Sequence, residues 1–190
     1  MKVFGNHNLL NLHPASLLCR QLNISATQFC NAIHSFKGAA KRLEQVAVNN
    51  EKIVFRDFAH APSKVKATVA AVKQQFPDKK LNAVLELHTY SSLNENFMQE
   101  YRGSLQEADE AVVFYSRHAL ELKRLPDLRK EKIREGFGQE RLQVFNNTAE
   151  LENWLNDQEG QNSVFLFMSS GNYEGLNVEA WAKKSAETAT

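Results

Sequence analysis

The chain has 190 residues, of which 43% are hydrophobic and 24% charged, with a formal net charge of +1. That length makes one domain, or one domain with an appendage, around a sizeable core, and the composition excludes disordered and fibrous classes. The charge balance removes any electrostatic case for a nucleic acid or an acidic membrane surface, so a bound anion must be met by a local site.

Lys2-Val3-Phe4-Gly5 reads as the last residues of a strand with almost nothing before it, so the chain is expected to be a piece of a longer one. Gly5-Asn6-His7-Asn8-Leu9-Leu10-Asn11 leads into a helix-like stretch to about Leu22, expected to kink or start at His13-Pro14. A second helix is expected from Ser25 to His34, with Ser25 and Gln28 as a capping box. Phe36 to Arg42 is a basic, small-residue loop, and Leu43–Val48 and Lys52–Asp57 are two strands joined at Asn49-Asn50. Cys19 and Cys30 lie among apolar neighbours, which fits reduced thiols in a cytoplasmic protein better than a disulfide framework or a metal site.

Ile53, Val54 and Phe55 suit a buried strand, and Pro62 suits the first position of a helix whose apolar stripe is Val65, Val69, Val72 and Phe76. Between them Asp57 and His60 stand at the strand's carboxyl end, facing a helix N-terminus that favours anions. The joint suits a phosphate-bearing ligand, although Asp57 can equally serve only to cap the turn. Next come a strand Leu81–Leu87, the polar turn His88-Thr89-Tyr90-Ser91-Ser92, and a helix with Phe97, Tyr101 and Leu105 on one face. Glu110–Tyr115 is a third core strand leaving through Ser116-Arg117-His118, and residues 122–135 are helical around a break at Pro126 with a solvated charged face. Leu142–Phe145 is a short strand, Thr148 caps a helix carrying Leu151, Trp154 and Leu155, and Val164–Met168 has the continuous apolarity of a central parallel strand. That strand leaves through Ser169-Ser170-Gly171-Asn172 into a terminal helix, with a tail frayed from Ser185.

Strands alternating with helices at these lengths imply an α/β fold, Rossmann-like in three layers, with a mostly parallel sheet. Each polar turn leaves a strand's carboxyl end, so Asp57, His60, His88, Ser91, Ser92, His118, Asn146 and Ser169–Asn172 are expected on one rim. There is no Gly-rich loop ending in Gly-Lys-Ser/Thr to grip a triphosphate, no GxGxxG after the first strand, no Gly-x-Ser-x-Gly elbow and no histidines at metal-ligand spacing. No signal peptide or bilayer-length apolar run is visible.

Three motifs in order resemble those of the Mur ligases, ATP-dependent amide-forming enzymes of peptidoglycan assembly. Gly5-Asn6-His7-Asn8-Leu9-Leu10-Asn11 is similar to the G-x-HN-x-x-N that closes the family's central ATPase domain. Phe36-Lys37-Gly38 with Arg42-Leu43-Glu44 resembles its F-x-G-x-x-x-R-x-E junction, and Asp57-Phe58-Ala59-His60-Ala61-Pro62 its D-Y-A-H-x-P. The resemblance covers essentially the whole chain, with residues 1–38 as the end of the central ATP-binding domain and 39–190 as the C-terminal domain.

The branch that joins a murein tripeptide to UDP-N-acetylmuramate is favoured over the alanine-adding branch. Thr89 and Ser92 stand where the alanine-adding P-H-R-Y-x-R pattern has two arginines, and Met168-Ser169-Ser170-Gly171-Asn172-Tyr173-Glu174-Gly175 resembles the tripeptide branch's M-S-N-G-G-F-x-G. Arg56, Ala61 and His13-Pro14 depart from residues often found in the family.

The resemblance implies that ATP phosphorylates the lactyl carboxylate of UDP-N-acetylmuramate and that the acceptor amine attacks the acyl phosphate. It implies Asn8 and Asn11 at adenine, Arg42 at the phosphates, Asp57 at the ribose hydroxyls and His60 in the cleft. His88, Thr89, Ser91, Ser92, Ser169, Ser170, Gly171 and Asn172 then face the peptide. ATP and Mg2+ belong to the full-length enzyme and are not held by this piece alone, which, lacking a phosphate loop, is expected to be inactive without the missing N-terminal and central domains. A non-catalytic Rossmann-like module that binds a nucleotide or peptide is the alternative from another class.

Overall fold

Val164 to Met168 is buried along its whole length, and the sheet is assembled around it. In the computed structural model, which describes residues 4–36, 38–49, 51–158 and 162–187, six strands form one sheet. They are β1 (Glu44–Val48), β2 (Lys52–Asp57), β3 (Lys80–Leu87), β4 (Glu110–Tyr115), β5 (Gln143–Phe145) and β6 (Ser163–Met168). The spatial order is β1-β2-β6-β3-β4-β5, with only β1–β2 antiparallel. The last strand in sequence therefore lies between β2 and β3, which creates a topological switch point at its carboxyl end.

Seven α-helices accompany the sheet among the described residues: α1 (Asn6–Gln21), α2 (Ala26–His34), α3 (Pro62–Gln75), α4 (Arg117–Leu122), α5 (Lys130–Phe137), α6 (Thr148–Asp157) and α7 (Val178–Glu187). Side chains alternate across a strand, so the sheet feeds two cores. Phe55, Leu85, Val113 and Leu166 pack with Val65 and Val69 of α3 and Ile133 and Phe137 of α5. Val54, Val84, Phe114 and Phe167 pack on the other face with Leu151 and Leu155 of α6 and Ala182 of α7. This is the expected three-layer, mostly parallel architecture. No described helix is long and apolar enough to cross a membrane.

The Ser25–Gln28 capping box is present, each residue's side chain bonding the other's backbone N–H. Asn49 turns the β1–β2 hairpin by accepting the N–H groups of Glu51 and Lys52 at 3.0 and 2.6 Å, while Asn50 lies outside the described residues, as do Lys2, Val3 and Lys37. Several expectations are corrected. α1 runs unbroken through Pro14, which is exposed. Phe97 to Tyr101 belong to a 3-10 helix, Glu95–Tyr101, so Met98 and Tyr101, three apart, share the buried face and Phe97 is only half-buried. Ser116 starts α4 by accepting the Ala119 N–H at 3.1 Å. Asn147, not Thr148, caps α6 by accepting the Ala149 N–H at 2.8 Å. Ser185 lies inside α7, where its hydroxyl accepts from Lys52 Nζ at 3.0 Å.

Gly136 of α5 lies against the 3-10 helix, where an added Cβ would stand 2.4 Å from Met98 Cβ and 2.9 Å from its backbone carbon. In an open helix Gly→Ala is stabilising by about 0.5–1 kcal/mol. Gly136→Ala is instead expected to destabilise by about 1–3 kcal/mol through overpacking, read as a lower urea midpoint at unchanged slope.

Candidate functional site

Asp57 ends β2, and its two carboxylate oxygens accept backbone N–H groups from different loops: Leu43 N to Oδ2 and Ala59 N to Oδ1, each at 2.6 Å. The first bond holds a strained segment, since Lys41 and Leu43 have φ of 55° and 50°. Glu44 braces the same loop from its other side by accepting the Lys41 N–H at 2.9 Å, and this bond, with help from Arg56, keeps its carboxyl below the usual range. Arg42 is carried at the exposed crest of this loop.

His60 follows in the same turn. Its Nδ1 donates to the Phe58 carbonyl at 2.9 Å and its ring meets the Phe58 ring edge-on at 5.1 Å, which leaves Nε2 as the acceptor nitrogen. The His60 carbonyl accepts from the Tyr101 hydroxyl at 2.5 Å, tying this turn to the 3-10 helix. Ala61 precedes Pro62 at the first position of α3, as the sequence implies, with no side chain capping the helix start. The N-terminus of α3 and its dipole remain open toward the turn.

These pieces enclose a cavity of about 350 Å³ lined by Asn8, Asn11, Arg42, Asp57 and His60 together with Ser63, Lys64 and Thr68 of α3. All five residues expected on the nucleotide side thus meet in one space, from three segments separated in sequence. Its size lies at the lower end of small-molecule sites, about 300–1,000 Å³, suited to a nucleoside whose phosphates extend outside. The donor set fits such a ligand: side-chain amides with both donor and acceptor, a guanidinium, an ammonium and a helix N-terminus. Asn8 already donates to the Phe4 carbonyl at 2.8 Å, so its amide is partly committed. Among the described residues no group of three or more His, Cys, Asp and Glu side chains is placed to hold a metal ion.

The residues expected on the peptide side occupy the neighbouring rim and do not line this cavity. Ser169 follows β6, and its N–H donates to the Asp57 carbonyl at 3.0 Å, so the two sides share a wall. His88 follows β3 with its side chain 37% exposed. Thr89 and Ser91 lie beside it, their hydroxyls 3.2 Å apart. Ser92 faces inward: it is 1% exposed, accepts the Thr89 N–H at 2.9 Å and donates to the Thr89 carbonyl at 3.0 Å. It closes the turn rather than presenting a ligand group. Ser169 and Ser170 are half-buried, Gly171 packs on the His88 ring, and Asn172 is exposed.

Sequence reasoning missed Glu86. It is 1% exposed within β3; its Oε2 accepts from the Ser169 hydroxyl and from the Tyr173 N–H, the latter at 2.9 Å, and Oε1 lies 3.5 Å from His88 Nδ1. The signal was a carboxylate between two leucines of a buried strand, which demands buried partners. Tyr101, expected only on an apolar helix face, and Tyr173 both carry buried hydroxyls that donate to backbone carbonyls. Burial pushes the Tyr101 phenol up to about 12 and the Tyr173 phenol, which donates to the Val84 carbonyl at 3.0 Å, well above its ordinary value.

Residues 41–171 match the family described as Mur ligase, glutamate ligase domain. The chain is 31% identical, over 113 residues, to a UDP-N-acetylmuramate–L-alanine ligase of Desulfitobacterium hafniense; the match takes in 60% of this chain and 25% of the relative. A solved UDP-N-acetylmuramate-alanine ligase from Thermotoga maritima superposes with a TM-score of 0.74 at 21% identity, over 100% of this chain and 40% of that one. A murein peptide ligase from Psychrobacter arcticus gives 0.62 at 20% identity, over 90% and 35%. A domain from a protein of Haemophilus ducreyi, described as a UDP-N-acetylmuramate:L-alanyl-gamma-D-glutamyl-diaminopimelate ligase, gives 0.53 at 25% identity, over 78% and 98%.

Two outcomes follow from this geometry. Asp57→Ala leaves the buried Leu43 and Ala59 N–H groups without their acceptor and is expected to cost about 1–3 kcal/mol for each, measured by urea denaturation. Because folding favours the neutral form of Tyr101, stability is full below the unfolded phenol's pKa of about 10 and is lost as pH rises from there through about 12. Urea midpoints taken from pH 8 upward check this, and Tyr101→Phe removes that residue's part of the alkaline slope.

Proposed function

The chain belongs to the Mur ligase glutamate ligase domain family, and from that premise we propose that it is the C-terminal domain of an ATP-dependent ligase joining murein tripeptide to UDP-N-acetylmuramate in peptidoglycan recycling. In this reading residues 39–190 bind the acceptor and close over the nucleotide, and residues 1–38 are the end of the central ATP-binding domain. The family match beginning at residue 41 supports that division. So do Leu10, Leu18 and Leu22 of the α1 segment, each more than two-thirds exposed, as apolar positions that a further domain would cover.

The observation that carries the reading is the single cavity shared by Asn8, Asn11, Arg42, Asp57 and His60. Asn8 and Asn11 address the adenine edge, Arg42 and the N-terminus of α3 address phosphate oxygens, and the rim of Asp57 faces the ribose. The central domain supplies the triphosphate loop and the Mg2+ ligands; this domain supplies positioning and water exclusion, which protect an acyl phosphate from hydrolysis. An enzyme consuming ATP and a UDP-sugar in this way works in the cytoplasm.

Alanine addition is the second reading, favoured by the Desulfitobacterium relative. Against it, Thr89 and Ser92 offer no guanidinium for a free amino-acid carboxylate, and Ser92 is buried. Full-length enzyme expressed from the same reading frame separates the two when given UDP-N-acetylmuramate, ATP and either murein tripeptide or L-alanine, with phosphate release as the readout. The tripeptide is expected to be the better substrate by kcat/KM, and Arg42→Ala is expected to raise the KM for ATP by about tenfold or more. A preference for alanine selects the second reading. The 190-residue chain alone is expected to release no phosphate.

A further inference from the structure

At the carboxyl ends of β3 and β6, beside the nucleotide cavity, two buried polar atoms have no hydrogen-bond partner among the described residues: His88 Nδ1 and Ser170 Oγ. His88 Nδ1 faces the Glu86 carboxylate at 3.5 Å, close enough for charge attraction but outside hydrogen-bond geometry. Since the buried nitrogen is Nδ1 and the side chain is 37% exposed, the opposite ring edge, bearing Nε2, faces the rim. The Glu86 carboxylate is fixed by the Ser169 hydroxyl and the Tyr173 N–H, and a Cβ on Gly171 would come within 2.7 Å of His88 Nδ1 and 2.8 Å of Glu86 Oε2. The imidazole therefore stands between a buried carboxylate and a backbone that leaves no room for it to turn inward.

We propose that Glu86 and His88 form a carboxylate–imidazole dyad in which His88 takes a proton from the acceptor's ammonium group and Glu86 is its positioning residue. This rests on the ligase reading above. An amine acceptor in its ammonium form has no lone pair for attack, so one proton must leave first. It passes to His88 Nε2, breaking an N–H bond on the acceptor and forming one on the imidazole, and the freed electron pair attacks the carbonyl carbon of the acyl phosphate. The C–N bond forms, the C–O bond to phosphorus's oxygen breaks, inorganic phosphate departs with that electron pair, and the second nitrogen proton is lost to the departing phosphate. Charge attraction from the buried carboxylate 3.5 Å behind Nδ1 favours the imidazolium formed in the first step and orients the ring with Nε2 toward the acceptor. Glu86 also holds the Ser169–Gly171 turn, so the same carboxylate sets both the base and the wall beside it.

The test uses the full-length ligase with two nucleophiles: the tripeptide amine, and hydroxylamine, which is largely unprotonated at neutral pH and needs no base. His88→Gln is expected to lower tripeptide turnover by about 10²-fold or more, to leave the KM for ATP unchanged and to make hydroxamate from hydroxylamine as fast as the unaltered enzyme. Glu86→Gln is expected to lower tripeptide turnover less and to add no further loss to His88→Gln. Equal loss with both nucleophiles, or no loss with either, overturns the dyad, and His88→Gln decides the question even if Glu86→Gln does not fold. Unaltered enzyme that forms neither product overturns the ligase reading and the dyad with it; one that forms hydroxamate but not the tripeptide product overturns only the assignment of the acceptor.

Discussion

The site depends on how one residue, Asp57, is used at the end of β2. Its carboxylate takes the N–H of Leu43 and of Ala59, and its backbone carbonyl takes the N–H of Ser169. One residue therefore fixes the loop bearing Arg42, the turn bearing His60 and the exit of the central strand. The loop needs such a clamp because leucine and lysine at positive φ are disfavoured conformations that persist only where surrounding bonds over-determine them. An acid was expected here for a ligand's hydroxyls; its carboxylate oxygens bond protein backbone, while its edge lines the cavity.

The second constraint is the position of β6. Inserting the last strand between β2 and β3 pairs Met168 with both Asp57 and Leu85, so the turn after it is flanked by the Asp57–His60 turn and by the His88 turn. A rigid, fully buried strand is a poor place for relative motion. The two turns therefore hold a fixed spacing. Tyr101 strengthens this coupling, since it emerges from the segment after His88 and bonds the carbonyl of His60.

The sheet was legible because its signals are local and redundant. β-branched and aromatic runs, Pro62 at a helix start and polar residues at each strand exit all agree, and the fully apolar run from Val164 gave the central strand directly. Among the cavity residues, Asp57 and His60 were legible from the strand exit before Pro62, while Asn8, Asn11 and Arg42 came only through motif order; nothing in their spacing says that Asn11 and Arg42 share a cavity with Thr68. Features set by three-dimensional partners were not legible. Ser92 reads as a polar turn residue, yet its hydroxyl closes the turn from inside. Asn147 and Thr148 are both good caps, and the choice fell to Asn147 while the Thr148 hydroxyl donates to the Tyr173 carbonyl at 3.3 Å. Glu86 has the period of an apolar strand residue and acquires its meaning from Ser169 and Tyr173, more than eighty positions later.

The α1–α2 hairpin supplies one wall of the cavity while burying very little of itself: α2 has no buried residue, and Leu9, Leu10, Leu17 and Leu18 of α1 stand open. Isolated helices of this length are marginal in water, so most of their stability has to come from tertiary packing. The attachment to the domain runs through Phe4, whose ring meets Phe55 and Phe76 edge-on at 5.5 and 5.9 Å and whose carbonyl receives the Asn8 amide. The same Asn8 lines the cavity. A ligand seated between α1 and α3 would contact both walls at once and add to this anchor, while cover over the exposed leucines would hold α1 in place and preorganise the cavity. Occupation of the cavity and packing of the hairpin would thus be coupled through one helix, each favouring the other by the same factor.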